Sequence, residues 1–484
     1  MFKKILSLLL FLLLFFTGYL LNNVRKLKSR QLEVELILQV EVNKEAAQNL
    51  AQSLTYKTIS TVAGETDTAS FEAFHSYLES KYPLVHEHLI REQINDFSLL
   101  YTWNGTDQSL PPVVLAAHMD VVPVAEEDLP SWKEAPFDGK IANGIIWGRG
   151  TLDDKVSVIG ILESAEHLLA TGFVPKRTIY FAFGHDEEVG GLNGAKEIVR
   201  VLKERQISPE FVLDEGFTIT QGLVPGVLID IAQIGIAEKG FASLALSVQL
   251  EGGHASMPAR ETAINALATA ITKLQENPFE PQITEPVELF LDHIGPVMRF
   301  QDKLALANIG LMRSLVIKSY QQSAPGRAVI QTTIAPTIFE GGIKDNVIPT
   351  NASATFNFRI IPGMSVDDVV EHVKETIDDP RISISLLPFR SEPSPISAID
   401  SEGYKLINTT IREVFDNLIT APNLVLTATD GRYYYEICDN VYRFAPIRIN
   451  VDNVNAIHGI NEAISVEHFE DAIRFYIRLL ENVG

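Results

Sequence analysis

Between residues 113 and 214 the chain repeatedly drives a short apolar run into a carboxylate or a histidine. The pieces read Val113-Val114-Leu115-Ala116-Ala117-His118-Met119-Asp120, Gly148-Arg149-Gly150-Thr151-Leu152-Asp153-Asp154-Lys155, Phe181-Ala182-Phe183-Gly184-His185-Asp186-Glu187-Glu188 and Val212-Leu213-Asp214-Glu215-Gly216. Three of the four follow a run of strand type. Open α/β sheets bind ligands beyond the carboxyl ends of their strands. That rule predicts that His118, Asp153, Glu188 and Asp214 converge, with His458 from Asn455-Ala456-Ile457-His458 as a late addition. An imidazole at each end with a carboxylate between them is a donor set for two adjacent zinc ions, which take N and O ligands and keep a position for water.

Composition limits the alternatives. At 484 residues the chain exceeds one ordinary core, so two domains or a large insertion are expected. A formal net charge of −22 argues against nucleic acid, whose phosphates need a basic surface. With one cysteine, Cys438, no intrachain disulfide and no Cys-based zinc site is possible, and Cys438 reads as a small buried hydrophobe.

The first 30 residues depart from the acidic average. Lys3, Lys4, Arg25, Lys26, Lys28 and Arg30 flank an almost pure Leu/Phe run over 5–21. At ~1.5 Å per residue this run reaches about 26 Å, close to the ~30 Å hydrocarbon core. Residues 1–30 therefore read as a signal anchor or signal peptide, with the rest membrane-anchored or secreted and outside the cytoplasm. No Ala-x-Ala-like cleavage site follows, which favours the anchor. Basic residues on both sides leave the orientation open.

Further along, 22–40 reads as a polar helical linker and 43–54 and 71–82 as helices. Strands are expected at 99–103, 113–117, 178–183 and 211–213, and helices at 155–170 and 194–205. Such alternation implies a mainly parallel sheet with helices on both faces. The pattern then changes. Residues 240–250 alternate like a half-buried strand, 261–275 and 366–377 read as helices, and 328–339, 352–360 and 382–387 as strands. Residues 284–324 are helical and apolar in patches. The organisation expected is a catalytic α/β domain over 40–236 and 389–484, interrupted by a smaller α+β lid or dimerisation domain over 237–388.

Taken in order, the motifs resemble the di-zinc metallopeptidase family that contains aminoacylase, carboxypeptidase S and carboxypeptidase G. They are Ala117-His118-Met119-Asp120, Gly148 to Lys155, Gly184-His185-Asp186-Glu187-Glu188, Leu213-Asp214-Glu215-Gly216, Gly253-His254-Ala255-Ser256 and Ile457-His458-Gly459. Asp345-Asn346-Val347-Ile348-Pro349 and Ile457 to Glu462 resemble the carboxypeptidase S and secreted N-fatty-acyl-amino-acid synthase/hydrolase branch.

The resemblance implies two zinc ions per chain. Asp153 would bridge them, His118 and Glu188 completing one site, Asp214 and His458 the other. It also implies a cis bond between Asp153 and Asp154. Glu187 would be the general base, moving a proton from the attacking water to the leaving amine. Asp120, sharing a strand face with His118, would fix the imidazole tautomer. His254 would donate to an oxyanion, across a homodimer formed by the inserted domain. Arg359, Asn346 and, more weakly, Arg432 would hold the substrate's carboxylate. The activity implied is cleavage, or reversible formation, of the amide of an N-acyl amino acid. The alternatives are an exopeptidase of the carboxypeptidase S type acting on small peptides with a free C-terminus, and a non-catalytic zinc-binding module. The apolar stretch 290–320 would line an acyl groove or thicken a dimer interface.

Overall fold

The computed structural model describes residues 2–37, 40–61 and 67–484. Its centre is a ten-stranded sheet. In spatial order the strands are Ile90–Ile94, Ser98–Trp103, Ile179–Gly184, Val113–His118, Phe211–Asp214, Val441–Arg443, Asp230–Glu238, Ile219–Thr220 and Arg448–Ile449, with Leu418–Val425 also paired to Asp230–Glu238. Val113–His118 runs parallel to both its neighbours, and Leu418–Val425 parallel to Asp230–Glu238.

The apolar runs have a direct cause. Successive strand residues point to opposite faces, and here both faces are covered. Val113, Leu115 and Ala117 join the core under the helices Lys155–Ala170 and Val466–Val483, whereas Val114 and Ala116 join the one under Ala195–Glu204. A strand buried on both sides has no polar positions to alternate with. The first two helices pack closely: a Cβ at Gly160 would lie 3.1 Å from the Tyr476 ring.

After Glu238 the chain enters a second, wholly antiparallel sheet of four strands, ordered Thr333–Gly341, Asn351–Ile360, Gly240–Gln249 and Ile382–Leu386. One face is buried under the helices Ala263–Glu276 and Val366–Ile377. Both helices begin with a capping box, Thr262 with Asn265 and Ser365 with Asp368, satisfying otherwise orphaned N–H groups.

Several expectations are corrected. Residues 27–37 form no helix beyond Lys26; they run along the surface, held by Arg30 to Asp292 at 2.7 Å, Gln31 to the Thr420 carbonyl at 2.8 Å and the Ile37 N–H to the Glu413 carbonyl. The buried strand Asp230–Glu238 was not anticipated. Residues 328–330, expected to be extended, instead close the helix Ala324–Ile330, which starts with Pro325 in its first turn and Ser323 capping the Gly326 N–H. The helix Glu285–Ile294 packs on the large sheet, Val287, Phe290 and Leu291 meeting Ile419, Ala421 and Leu424.

Candidate metal centre

His118 ends its strand fully buried. Its Nδ1 faces the Asp120 carbonyl at 3.0 Å and the Asp120 carboxylate at 3.3 Å, which aims Nε2 at Asp153 Oδ1, 2.8 Å away. The Asp120 carboxylate also accepts the backbone N–H of Glu187 at 3.2 Å and of Glu188 at 3.1 Å, and the Ser60 hydroxyl. One buried acid thereby holds both the imidazole and the Glu187–Val189 turn beyond the neighbouring strand.

Asp153 lies in a loop joined to Asp154 by a cis peptide bond. The loop is pinned by Glu462: Oε1 accepts N–H groups from Gly150, Leu152 and Asp153 at 3.0, 2.7 and 3.3 Å. His458, in a left-handed conformation at φ +60°, brings Nε2 to 3.1 Å from both Asp153 Oδ2 and Glu188 Oε2. The Asp153 carboxylate therefore has one oxygen on each imidazole.

Donor atoms of His118, Asp153 and Glu188 lie within 4.8 Å of one another. Electrostatics explain what such a cluster favours. Burial, with the Asp430, Glu188 and Asp153 charges behind it, pushes the Glu187 carboxyl well up, and burial raises Glu188 likewise. The Asp153 and Glu188 carboxylates push His458 up to about 10. Burial opposes ionisation of Asp153, but its two imidazoles outweigh it and hold the group below its usual range. The pocket carries more carboxylates than its imidazoles can neutralise, in a His/Asp/Glu donor set suited to a divalent cation.

Asp214 does not join that group. Val113 pairs with Phe211 and Leu115 with Leu213, so Asp214 stands level with Ala116 rather than with His118. Its Oδ2 accepts the Gly431 N–H at 2.6 Å, and the buried Arg443 guanidinium lies within electrostatic reach. Burial, and then the Asp153, Glu187 and Asp214 charges, push the carboxyl of the next residue, Glu215, well up. Sequence reasoning singled out Asp214 from this adjacent pair of acids and did not weigh Glu215.

The remaining expected residues form two further groups. His254 is exposed in the short strand Gly253–His254, its Nδ1 bonded to Ser256 within its own turn. That strand pairs with Val347–Ile348, and Ala255 N–H meets the Asn346 carbonyl at 3.2 Å, so His254 and Asn346 are neighbours on the small domain. Arg359 and Arg432 meet where the two sheets join. Arg359 lies 4.9 Å from the Phe241 ring and Arg432 5.9 Å from Phe389, with those rings 5.4 Å apart. Arg432 also donates to the Gly190 carbonyl, at the end of the turn that carries Glu188. Burial, and then the Arg432 charge, lower the Arg359 pKa.

Strand ends of a largely parallel sheet gathering imidazoles and carboxylates around a shared aspartate define a metal-dependent hydrolase. Residues 114–482 match the model of Peptidase family M20/M25/M40, and the chain belongs to that family. It is 40% identical to the probable carboxypeptidase S-like 2 of Dictyostelium discoideum, the match covering 96% of this chain and 91% of that one. It is 37% identical to the N-fatty-acyl-amino acid synthase/hydrolase PM20D1 of Xenopus tropicalis, over 91% and 86% of the two chains. Among solved structures, an M20 family metallo-carboxypeptidase from Sulfolobus solfataricus shares the fold, with a TM-score of 0.68 at 18% identity over 91% of this chain and 99% of that one.

Proposed function

We propose that this enzyme is a di-zinc amidohydrolase that cleaves, or reversibly forms, the amide bond of N-acyl amino acids. The carrying observation is the Asp153 carboxylate, with one oxygen on His118 and the other on His458. Asp153 would be shared by two ions, with His118, His458 and Glu188 around it. For the remaining carboxylate we favour Glu215 over Asp214, whose Oδ2 is engaged by Gly431. Bound there, the ions would supply Lewis acidity and bring the pKa of water toward ~7.

The chain's own residues do the rest. Glu187, held by its N–H on Asp120, takes a proton from water as the oxygen adds to the acyl carbon. It then delivers that proton to the departing nitrogen, so the products are a carboxylic acid and a free amino acid. Arg359 and Arg432 would grip the amino acid's carboxylate, and Phe241 and Phe389 would flank its side chain. His254 lies on the small domain and would reach an active site as an oxyanion donor from a second subunit. The outer strand Thr333–Gly341, with Ile338 and Phe339 exposed, offers an edge for such a homodimer.

The helix Phe2–Lys26, apolar and almost entirely exposed, would anchor the enzyme in a membrane with its catalytic domain outside the cytoplasm. Likeness to a carboxypeptidase S-like protein supports a second substrate class, small peptides with a free C-terminus. One assay decides: the full chain, loaded with zinc, is offered N-oleoyl-phenylalanine and Gly-Leu side by side. Faster turnover of the acyl amino acid is expected; cleavage of Gly-Leu alone would transfer the enzyme to the peptidase class.

A further inference from the structure

The N-terminal helix is fastened to the catalytic domain through a layer of helices that the proposed chemistry leaves unused. Phe2–Lys26 packs against Phe300–Ala307. Asn23 Nδ2 donates to Asn308 Oδ1 at 2.8 Å, Asn308 Nδ2 donates to the Leu20 carbonyl at 3.3 Å, and Arg30 meets Asp292 at 2.7 Å. Leu20 is the one buried residue of the first helix, so contact is made near its C-terminal end. A helix of 25 residues is about 37 Å long at ~1.5 Å per residue. If its apolar turns fill a bilayer core of ~30 Å, the contact with Asn308 falls at the headgroup level.

Apolar side chains stand free around this junction. Phe300 is 58% exposed, and Leu311 and Leu315, one turn apart on Ile309–Tyr320, are each 61% exposed. The charges beside them reverse the sign of the whole chain. Against a net −22, residues 22–32 carry Arg25, Lys26, Lys28 and Arg30 and no acid. Residues 297–320 carry Arg299, Lys303, Arg313 and Lys318 against the single acid Asp302. Exposed leucines and phenylalanine among lysines and arginines are the composition of a segment lying in a bilayer interface, the apolar side chains inserted and the cations at anionic headgroups.

We infer that the face bearing Phe300, Leu311 and Leu315 is a membrane-docking surface, continuous with the N-terminal helix, that seats the catalytic domain on an anionic lipid surface. The inference rests on the reading of Phe2–Lys26 as an anchor. It goes beyond that reading because an anchor alone would leave the domain free to stand away from the bilayer.

The two are separable in one experiment. The chain's only thiol, Cys438, is buried, so single cysteines can be labelled selectively. Full-length Leu10→Cys, Leu311→Cys, Leu315→Cys and Val174→Cys proteins are labelled with an environment-sensitive fluorophore. Each is reconstituted into phosphatidylcholine/phosphatidylserine vesicles containing spin-labelled lipid. Val174, 63% exposed in the loop after the helix Lys155–Ala170, serves as the control outside the docking face. Docking predicts that labels at 10, 311 and 315 lose most of their fluorescence while the label at 174 keeps it. Quenching at 10 but not at 311 or 315 overturns the docking surface and leaves the anchor intact. Absence of quenching at 10 as well removes the anchor and the docking surface together. Shielding of 311 and 315 without lipid quenching, lost as the total protein concentration is lowered, would assign the face to a second copy of the chain and likewise overturn the inference.

Discussion

Glu462 and Arg149 form a fully buried ion pair at 2.6 Å, and it joins the two loops that meet at Asp153. Glu462 gathers the N–H groups of the Asp153 loop, while Arg149 reaches back with Nη2 to the Gly459 carbonyl at 2.9 Å, next to His458. Neither residue touches the imidazoles, yet together they fix the distance between Asp153 and His458. Hydrogen-bond partners of metal ligands commonly tune affinity in this way.

Removing one partner should therefore be costly twice over. Glu462→Ala leaves Arg149 charged and buried, a loss of about 3–5 kcal/mol, and frees three loop N–H groups. Glu462→Gln keeps the volume and should fold, with zinc affinity reduced by about 10–100-fold. Denaturant melts together with competition against a chromogenic chelator will measure both. Wild-type zinc affinity in the glutamine variant would show that the loop is held without this pair.

The adjacent acids Asp214 and Glu215 make opposite predictions. If Glu215 completes the metal centre, Glu215→Gln should retain about one zinc per chain where the wild type holds about two. Asp214→Asn should keep its metal and lose stability, because the Gly431 N–H loses a charged acceptor; hydrogen bonds to charged groups are worth ~1.5–3 kcal/mol. Elemental analysis of the two purified proteins distinguishes them, and an exchange of the two outcomes would restore Asp214 as the ligand. In the wild type, chelation should abolish turnover and zinc restore it.

Arg359 and Arg432 bear on substrate rather than on chemistry. A group that grips the carboxylate equally in ground and transition states lowers KM without raising kcat. Arg359→Ala should raise KM roughly ten- to a hundredfold, as expected for losing a charged hydrogen bond worth ~1.5–3 kcal/mol, with kcat little changed. Arg359→Lys should recover only part, since an ammonium lacks the planar two-donor fork. Initial rates over a substrate series decide it; a fall in kcat at constant KM would place Arg359 in the reaction instead.

The cluster of His118, Asp153 and Glu188 was more legible in the sequence than the ground around it. Strand runs such as Val113–His118 are buried on both faces and so must be apolar, and a histidine ending such a run is conspicuous. Glu462 was legible only as part of a motif, because its role arises from contacts some 310 residues back along the chain. Asp214 and Glu215 show a further limit: two adjacent acids read alike in the sequence, and only the register of Phe211–Asp214 on Val113–His118 sets Asp214 level with Ala116 rather than with His118. The strand Asp230–Glu238 was missed because Gln233 and Gly235 interrupt its apolar pattern; Gln233 is buried yet satisfied by Thr220 and Asn423 across the sheet.

Glu187 and Glu188 are neighbours, and their substitutions should separate proton transfer from metal binding. Glu188 Oε2 lies 3.1 Å from His458 Nε2, and its donor atom belongs to the cluster with His118 and Asp153. Glu188→Ala should therefore lose metal as well as rate. Among the described residues Glu187 belongs to no such cluster, and its backbone N–H is already fixed on Asp120. Glu187→Gln should keep both zincs and bind substrate nearly normally, since Gln preserves size and removes only the proton acceptor. Its kcat should fall by at least the ~10²–10⁴-fold typical of general acid–base catalysis, and by more if one carboxylate both activates water and protonates the leaving amine. Steady-state kinetics with metal analysis on the same preparations give the answer. Turnover within about threefold of wild type, far less than the ~10²-fold minimum for a lost general base, would move the role elsewhere. Asp120 would then be a poor substitute, because its oxygens already serve Ser60, His118 and two backbone N–H groups. Asp154, whose carboxyl burial pushes up to about 8, would be the next to test.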